Sequence, residues 1–337
     1  MKKIFFAFIL ISIISCKKET SANYDIYVVG IEANSTNLNN TTYKAMLWKN
    51  GVATELSNNG VANSIFVANS DVFVAGSISS AAVLWKNNVV QILCDTGNAT
   101  NVYVSGTDVY VTGNEKIDGQ YYSRVWKNGI NLNLNNNDPN LTEAKVFISG
   151  TDVYLVWSKS FQPISDLYYP VVWKNGIELF NISNSPYSRA LSLFVSGTDV
   201  YLSGLTDIRT SSGGNYATLW KNGVATRLSN NFESYMGYDR SLFVSGTDNY
   251  VVASSGQGNE NFATLWKNGI PIRLSNNYSD ARCVFVLGND LFVAGEDYVN
   301  GISSNPFLTV WKNGIANRLN NVGSYYSQAN SMYVLTN

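Results

Sequence analysis

Chemistry in this chain has to be sought among arginine, carboxylate and tyrosine, because its 337 residues include no histidine. That absence removes a Ser-His-Asp triad, a His-ligated metal and imidazole acid–base work. Charged residues make up only 14% of the chain, against about a quarter in ordinary soluble proteins. One charged set therefore stands out: Glu143, Lys145, Arg189, Asp239, Arg240, Asp280 and Arg282. Guanidinium groups grip anions with two parallel hydrogen bonds, so Arg189, Arg240 and Arg282 are candidates for holding an anionic ligand. A solvated rim of mutual ion pairs is the alternative. Sialidase-like hydrolysis would need a convergent arginine triad with a Tyr/Glu nucleophile pair, and no Asp-box signature accompanies these arginines. Asp, Glu and Asn could bind a cation through oxygen, but no EF-hand-like spacing is present. The sequence implies no metal, no cofactor and no catalytic residue.

A second set is aromatic. Of the eight tryptophans, seven share one motif and Trp157 does not. Trp157 takes a place that Gly or Ser usually holds, and Tyr168 and Tyr169 follow it in the same connection. Tyr121-Tyr122, Tyr187, Tyr235, Tyr238, Tyr278, Tyr298 and Tyr325-Tyr326 stand in neighbouring connections. Aromatic faces suit stacking on sugar rings. Tyr with Asn, Ser and Gly also makes an adaptable contact surface, as in antibody loops. Local packing over the edges of the fold is the competing explanation.

The elements that must position these residues form one repeated unit. Trp-Lys-Asn recurs at Trp48, Trp85, Trp126, Trp173, Trp220, Trp266 and Trp311, at intervals of 37, 41, 47, 47, 46 and 45 residues. A period near 40–45 is that of a four-stranded propeller blade. Each copy holds four short β-branched and aromatic runs, A to D. Run A is apolar at consecutive positions (Ile65-Phe66-Val67, Leu242-Phe243-Val244), as an inner strand covered on both faces should be. Run D carries Glu55, Arg227, Arg273, Arg318 and Pro271, which belong on an exposed edge. Asn-Gly between C and D is the strongest short hairpin signal. The Asp of the A–B turn (Asp71, Asp108, Asp152, Asp199, Asp248, Asp290) is expected to bond its own backbone. The Lys of Trp-Lys-Asn is expected to point outward, and the tryptophan to pack between blades.

The last A run lies at the C-terminus (Ser331 to Leu335), and the first run of the repeat region is a B (Tyr24 to Gly30). One end thus completes the blade that the other begins, which predicts a closed ring. The expected fold is all-β: a single seven-bladed β-propeller over 24–337, four antiparallel strands per blade. Its A–B and C–D turns fall on one face. The B–C and D–A connections, which vary in length and composition, fall on the other, and functional residues concentrate on such loops.

Residues 1–15 read as a signal peptide: Lys2 and Lys3, then an apolar run from Ile4 to Ile14 that is too short to span a bilayer. Ile13-Ile14-Ser15-Cys16 resembles a loose lipobox, with Ile13 where the motif usually has Leu. Cys16 would become the acylated first residue, carrying palmitate-type chains, and 17–23 a polar tether. Cys94 and Cys283 sit at different repeat positions, so a disulfide is not expected. A net charge of −1 leaves no electrostatic footprint for nucleic acid.

With the signal, these repeats resemble the Gly-x-Asp-Val-Tyr-Val-x-Gly / Trp-Lys-Asn-Gly propeller repeats of predicted lipoproteins in Bacteroidetes-type bacteria. The resemblance covers the whole mature chain and implies fold and location, not an activity. The Gly-His and Trp-Asp signatures of WD40 blades and the glycine pair of kelch blades are missing. The expected role is a lipid-anchored binding module of the bacterial envelope, on the outer membrane and either periplasmic or surface-exposed. Its ligand would be a glycan or other envelope molecule, met through Trp157, Tyr168, Tyr169, Arg189, Arg240 and Arg282. The alternatives are an envelope protein–protein scaffold and, behind it, a propeller hydrolase or lyase.

Overall fold

A computed structural model describes residues 23–33, 42–134, 138, 140–160, 168–183, 188–208, 214–229, 241–256, 261–299, 301, 305–319 and 326–337. Twenty-eight strands form seven four-stranded antiparallel sheets, each a meander in chain order apart from the one that closes the ring. That blade, blade 1, runs Ser327–Thr336, Tyr24–Ala33, Tyr43–Lys49, Val52–Ser57 from inside to outside. Blades 2 to 7 follow, their inner strands starting at Gly60, Gly97, Leu141, Ser188, Ser241 and Tyr278. Adjacent inner strands pack against one another around the axis. The chain is a seven-bladed β-propeller, closed by the pairing of Tyr24–Ala33 with Ser327–Thr336.

Seven apolar clusters fill the seams between neighbouring blades. Six of the seven repeated tryptophans are buried in them, as the expected packing role requires. The seventh, Trp173, is only half-buried, because Trp157 fills that seam in its place.

The turn chemistry is more connected than the sequence suggests. In blade 5, Asn222 and Gly223 close the C–D hairpin at φ 50° and 82°, the left-handed pair of a type I′ turn. The Asn222 amide oxygen accepts from the Val200 N–H at 2.8 Å, and its NH2 donates to Asp199 at 2.9 Å. Lys221 pairs with the other Asp199 oxygen at 2.7 Å and lies 5.2 Å from the centre of the Tyr201 ring. The same Asp–Asn–Lys clasp, over an aromatic ring, recurs in all seven blades. The turn aspartates therefore tie one hairpin to the next instead of bonding their own backbone. The lysines are held back onto the blade instead of pointing outward.

Candidate functional site

The connections opposite the clasps are the B–C and D–A segments, and every internal stretch outside the described residues falls among them. They are not uniformly long. In blades 2 and 3 the B–C link is a tight turn at Ser79-Ser80 and at Asp118-Gly119, extending those strands toward the loop face.

Trp157 does not reach this face as a contact surface. It lies inside a strand (Asp152–Ser160), 1% exposed, and meets Trp173 edge-on at 5.2 Å. The repeat explains why Gly usually holds its place. A Cβ on Gly204 would come within 1.9 Å of the Arg189 carbonyl oxygen, and one on Gly295 as close to that of Asp280. Inner-strand bulges force this approach, since one extra residue there crowds the partner strand. In blade 4 the register skips from Thr142 to Lys145, leaving Trp157 without a directly opposed residue and making room for its side chain. The indole N–H has no hydrogen-bond partner among the described residues. Trp157 is core packing.

Tyr168 and Arg189 are brought together. The guanidinium of Arg189, exposed at the start of an inner strand, stands 5.2 Å from the centre of the Tyr168 ring across the seam of blades 4 and 5. Tyr169, also half-buried, pairs in register with Lys159. Tyr121, 51% exposed, lies by Lys116, and Tyr122 lies by Arg124, which Glu115 binds at 2.7 Å. Tyrosines beside cations thus recur on this face. The outer-strand arginines Arg227 and Arg273 stack on Tyr216 and Phe262 at 3.2 and 3.3 Å and bond nearby carbonyls, a rim-bracing duty. Arg240 and Asp239 lie outside the described residues, as does the lipidation candidate Cys16.

Arg282 follows a different course from Arg189. It is the bulged residue of the inner strand of blade 7, and Glu296 on the adjacent strand binds its Nε at 2.5 Å. The other Glu296 oxygen accepts from the Ala329 N–H at 2.7 Å, reaching across to blade 1. Asp280 approaches Arg282 at 4.0 Å while accepting from Ser254 at 2.6 Å and Asn261 at 2.7 Å. Next to them Tyr326 donates to Gln328, which donates to Asn330, whose NH2 reaches the Ala62 carbonyl in blade 2. Glu296 is fully buried, and burial pushes its carboxyl up to about 7, with Arg282 pulling the other way. Burial opposes the charge on Arg282 as well, but Glu296 and Asp280 more than offset it and hold the guanidinium above its ordinary value. Burial pushes the Tyr326 hydroxyl up to about 12. Arg282 is thus committed to carboxylates of its own fold, at the seam where the ring closes.

A further feature escaped the sequence reading. The middle residue of each inner run is aromatic, and Phe66, Tyr103, Phe147, Phe194, Phe243, Phe285 and Tyr333 touch in a closed circle with centroid spacings of 4.8 to 5.1 Å. Such spacings are those of favourable tilted ring pairs. The signal was the aromatic centre of Ile65-Phe66-Val67 and its equivalents; what was missing was that the seven meet. Cys283 is buried and Cys94 half-buried, both as free thiols. Among the described residues no cluster of His, Cys, Asp and Glu could hold a metal ion.

No protein-family model matches the chain, and no curated protein matches its sequence. Solved structures match its fold. Acylaminoacyl peptidase from Pyrococcus horikoshii aligns at 10% identity with a TM-score of 0.51, over 90% of this chain; the chain spans only 51% of the peptidase's length. The β-propeller domain of the Trilobed protease from Pyrococcus furiosus, described as having an open velcro topology, aligns at 8% identity with a TM-score of 0.50, covering 88% of this chain and 95% of that one. At such identities the likeness extends to the fold alone.

Proposed function

We propose that this chain is a lipid-anchored binding module of the bacterial envelope, held through Cys16, that takes a glycan or other envelope ligand on its loop face. The observation that carries the reading is the Tyr168–Arg189 pair, an aromatic ring beside an exposed cation on the face where the blades differ. Tyr121 by Lys116 offers a second pair of the same chemistry. A sugar ring can stack on tyrosine while its hydroxyl or acidic groups bond the cation. Trp157 and Arg282, being occupied within the fold, are not part of this surface. The resemblance to Bacteroidetes-type lipoproteins and the signal-like segment 1–15 support the location.

The test is a thermal-shift screen against a broad panel of neutral and acidic glycans, with Tyr168→Ala and Arg189→Ala run beside the unaltered protein. A ligand that raises the melting temperature through binding to the folded state should lose that effect in both variants. Undiminished shifts in the variants would refute the site.

One observation favours protein recognition instead. The outer strand of blade 2, Val89–Cys94, carries no charge or proline, and Val90 and Ile92 are 47% and 61% exposed. An unguarded edge of this kind can accept a partner strand. A stoichiometric envelope partner lost on Ile92→Lys would favour the scaffold reading.

A further inference from the structure

The face that carries the clasps has an apolar feature that the fold does not use. In every blade the residue after the C–D turn is Val or Ile, from Val52 in blade 1 to Ile315 in blade 7, and all seven are between 68% and 76% exposed. A strand start asks for a β-branched residue, which Thr would satisfy. Single exposed aliphatics are ordinary, but the same aliphatic position around an entire rim makes a ring of apolar contacts. Each of these residues pairs in register with the clasp lysine of its blade, as Lys49 does with Val52 and Lys312 with Ile315. The clasp aspartates neutralise those lysines, at 2.8 Å for Asp25 and 3.0 Å for Asp290. The rim is therefore aliphatic and close to neutral.

The chain also enters the fold on this face. Asn23 accepts from the Asn337 N–H at 2.9 Å, and Asp25 belongs to the clasp of blade 1 with Lys49 and Asn50. Only residues 17–23 separate that point from Cys16, a span of at most roughly 25 Å when extended. An acyl chain on Cys16 would hold this face near a lipid surface and leave the loop face on the far side.

We propose that the clasp face is the membrane-facing surface of the propeller, its Val/Ile ring resting in the headgroup region of a bilayer. The inference rests on the lipid-anchor reading and deepens it: the anchor supplies residence, and the ring, brought to high local concentration at the surface, supplies orientation. The ligand-binding face then points away from the membrane.

The experiment uses the full lipidated chain reconstituted in phosphatidylethanolamine–phosphatidylglycerol vesicles containing a doxyl-labelled lipid. In a Cys94→Ser background an environment-sensitive dye is attached at Ile177→Cys on the clasp face or at Tyr121→Cys on the loop face. Ile177 belongs to blade 4, across the ring from the tether, so quenching there requires the face to lie flat. Quenching at Ile177 should exceed that at Tyr121 by about threefold or more, as for a group at headgroup depth against one in water. Adding Val52→Ser, Val89→Ser and Ile315→Ser should leave the chain floating with vesicles while reducing the Ile177 quenching about twofold or more. A chain that floats with equal or inverted quenching would overturn the orientation and leave the anchor intact. Unchanged quenching in the serine variant would overturn the role of the ring. A chain with neither an acyl mass nor vesicle flotation would overturn the anchor reading and this inference with it.

Discussion

The two faces of the propeller solve the same connection problem in opposite ways. On the clasp face one Asp, one Lys and one Asn repeat seven times with almost the same distances, all exposed or half-exposed. On the loop face at the seam of blades 7 and 1, a single carboxylate with no exposed surface holds Arg282 on its own strand pair and the Ala329 N–H of the next blade. The repeated arrangement distributes stability over many weak contacts in water. The single arrangement concentrates it in one place, where charge is out of water and removal of either partner strands the other. Repetition marks structural duty, and departure from the repeat marks where one seam or one surface was given a separate task.

The largest effect should come from breaking the buried pair. Glu296→Ala leaves Arg282 without its main partner and should cost about 3–5 kcal/mol, read as a large fall in melting temperature. Arg282→Met with Glu296→Leu, which removes both charges together, should recover much of that loss; a double variant as unstable as Glu296→Ala would show that the charges themselves are needed.

Trp157→Ala should be nearly as severe, about 3–5 kcal/mol, because it empties the seam of blades 3 and 4. Tyr168→Ala and Arg189→Ala should change the melting temperature by no more than a degree or two while acting on binding. A mild Trp157 variant would overturn the assignment of that residue to the core.

Acid and base should act on the two faces with opposite sign. Glu296 is pushed up to about 7 from an ordinary 4.5, so its proton is held more tightly in the folded chain. That contribution is present below pH 4.5 and is lost as pH rises to about 7. The clasp carboxyls Asp25, Asp71, Asp108, Asp152, Asp199, Asp248 and Asp290 are held below 3.8 by hydrogen bonds from Lys and Asn, Asp290 at about 2. Their contribution is present above pH 3.8 and is lost as pH falls toward 2. The melting temperature should therefore peak near pH 4 to 5 and decline on both sides. Glu296→Gln should flatten the decline toward pH 7 without altering the acid limb.

The smallest effects belong to single clasps. Asp199→Ala with Asn222→Ala should lower the melting temperature by roughly one or two degrees, and the same change in another blade by a similar amount, adding nearly independently. A single clasp worth as much as Glu296 would contradict the contrast between the faces.

How much of this was legible depends on the range of the interaction. Trp-Lys-Asn-Gly announced both the period and the hairpin, because a type I′ turn is a demand on two adjacent residues. The fragments at Tyr24 and Ser331 announced ring closure. Trp157 was misread: its place in a Gly position looked like a surface insertion, whereas a shifted bulge in the adjacent inner strand made room for it inside. Arg282 was grouped with Arg189 by spacing, yet Gly295-Glu296-Asp297 in the adjacent strand, whose acids are the most deeply placed among the described residues, was the available clue to its burial.

The sequence by itself determined the repeat, the number of blades, the order of inner and outer strands and the two faces, since each follows from periodicity, turn residues and apolar runs that act over a few positions. Only the tertiary structure decided which side chains meet. The clasps join residues about 15 to 25 apart, the aromatic circle joins all seven blades, and Glu296 reaches 33 residues along the chain to Ala329. Such meetings depend on register, bulges and closure together, and a one-residue slip in any of them would turn the same side chains to the opposite side of the sheet.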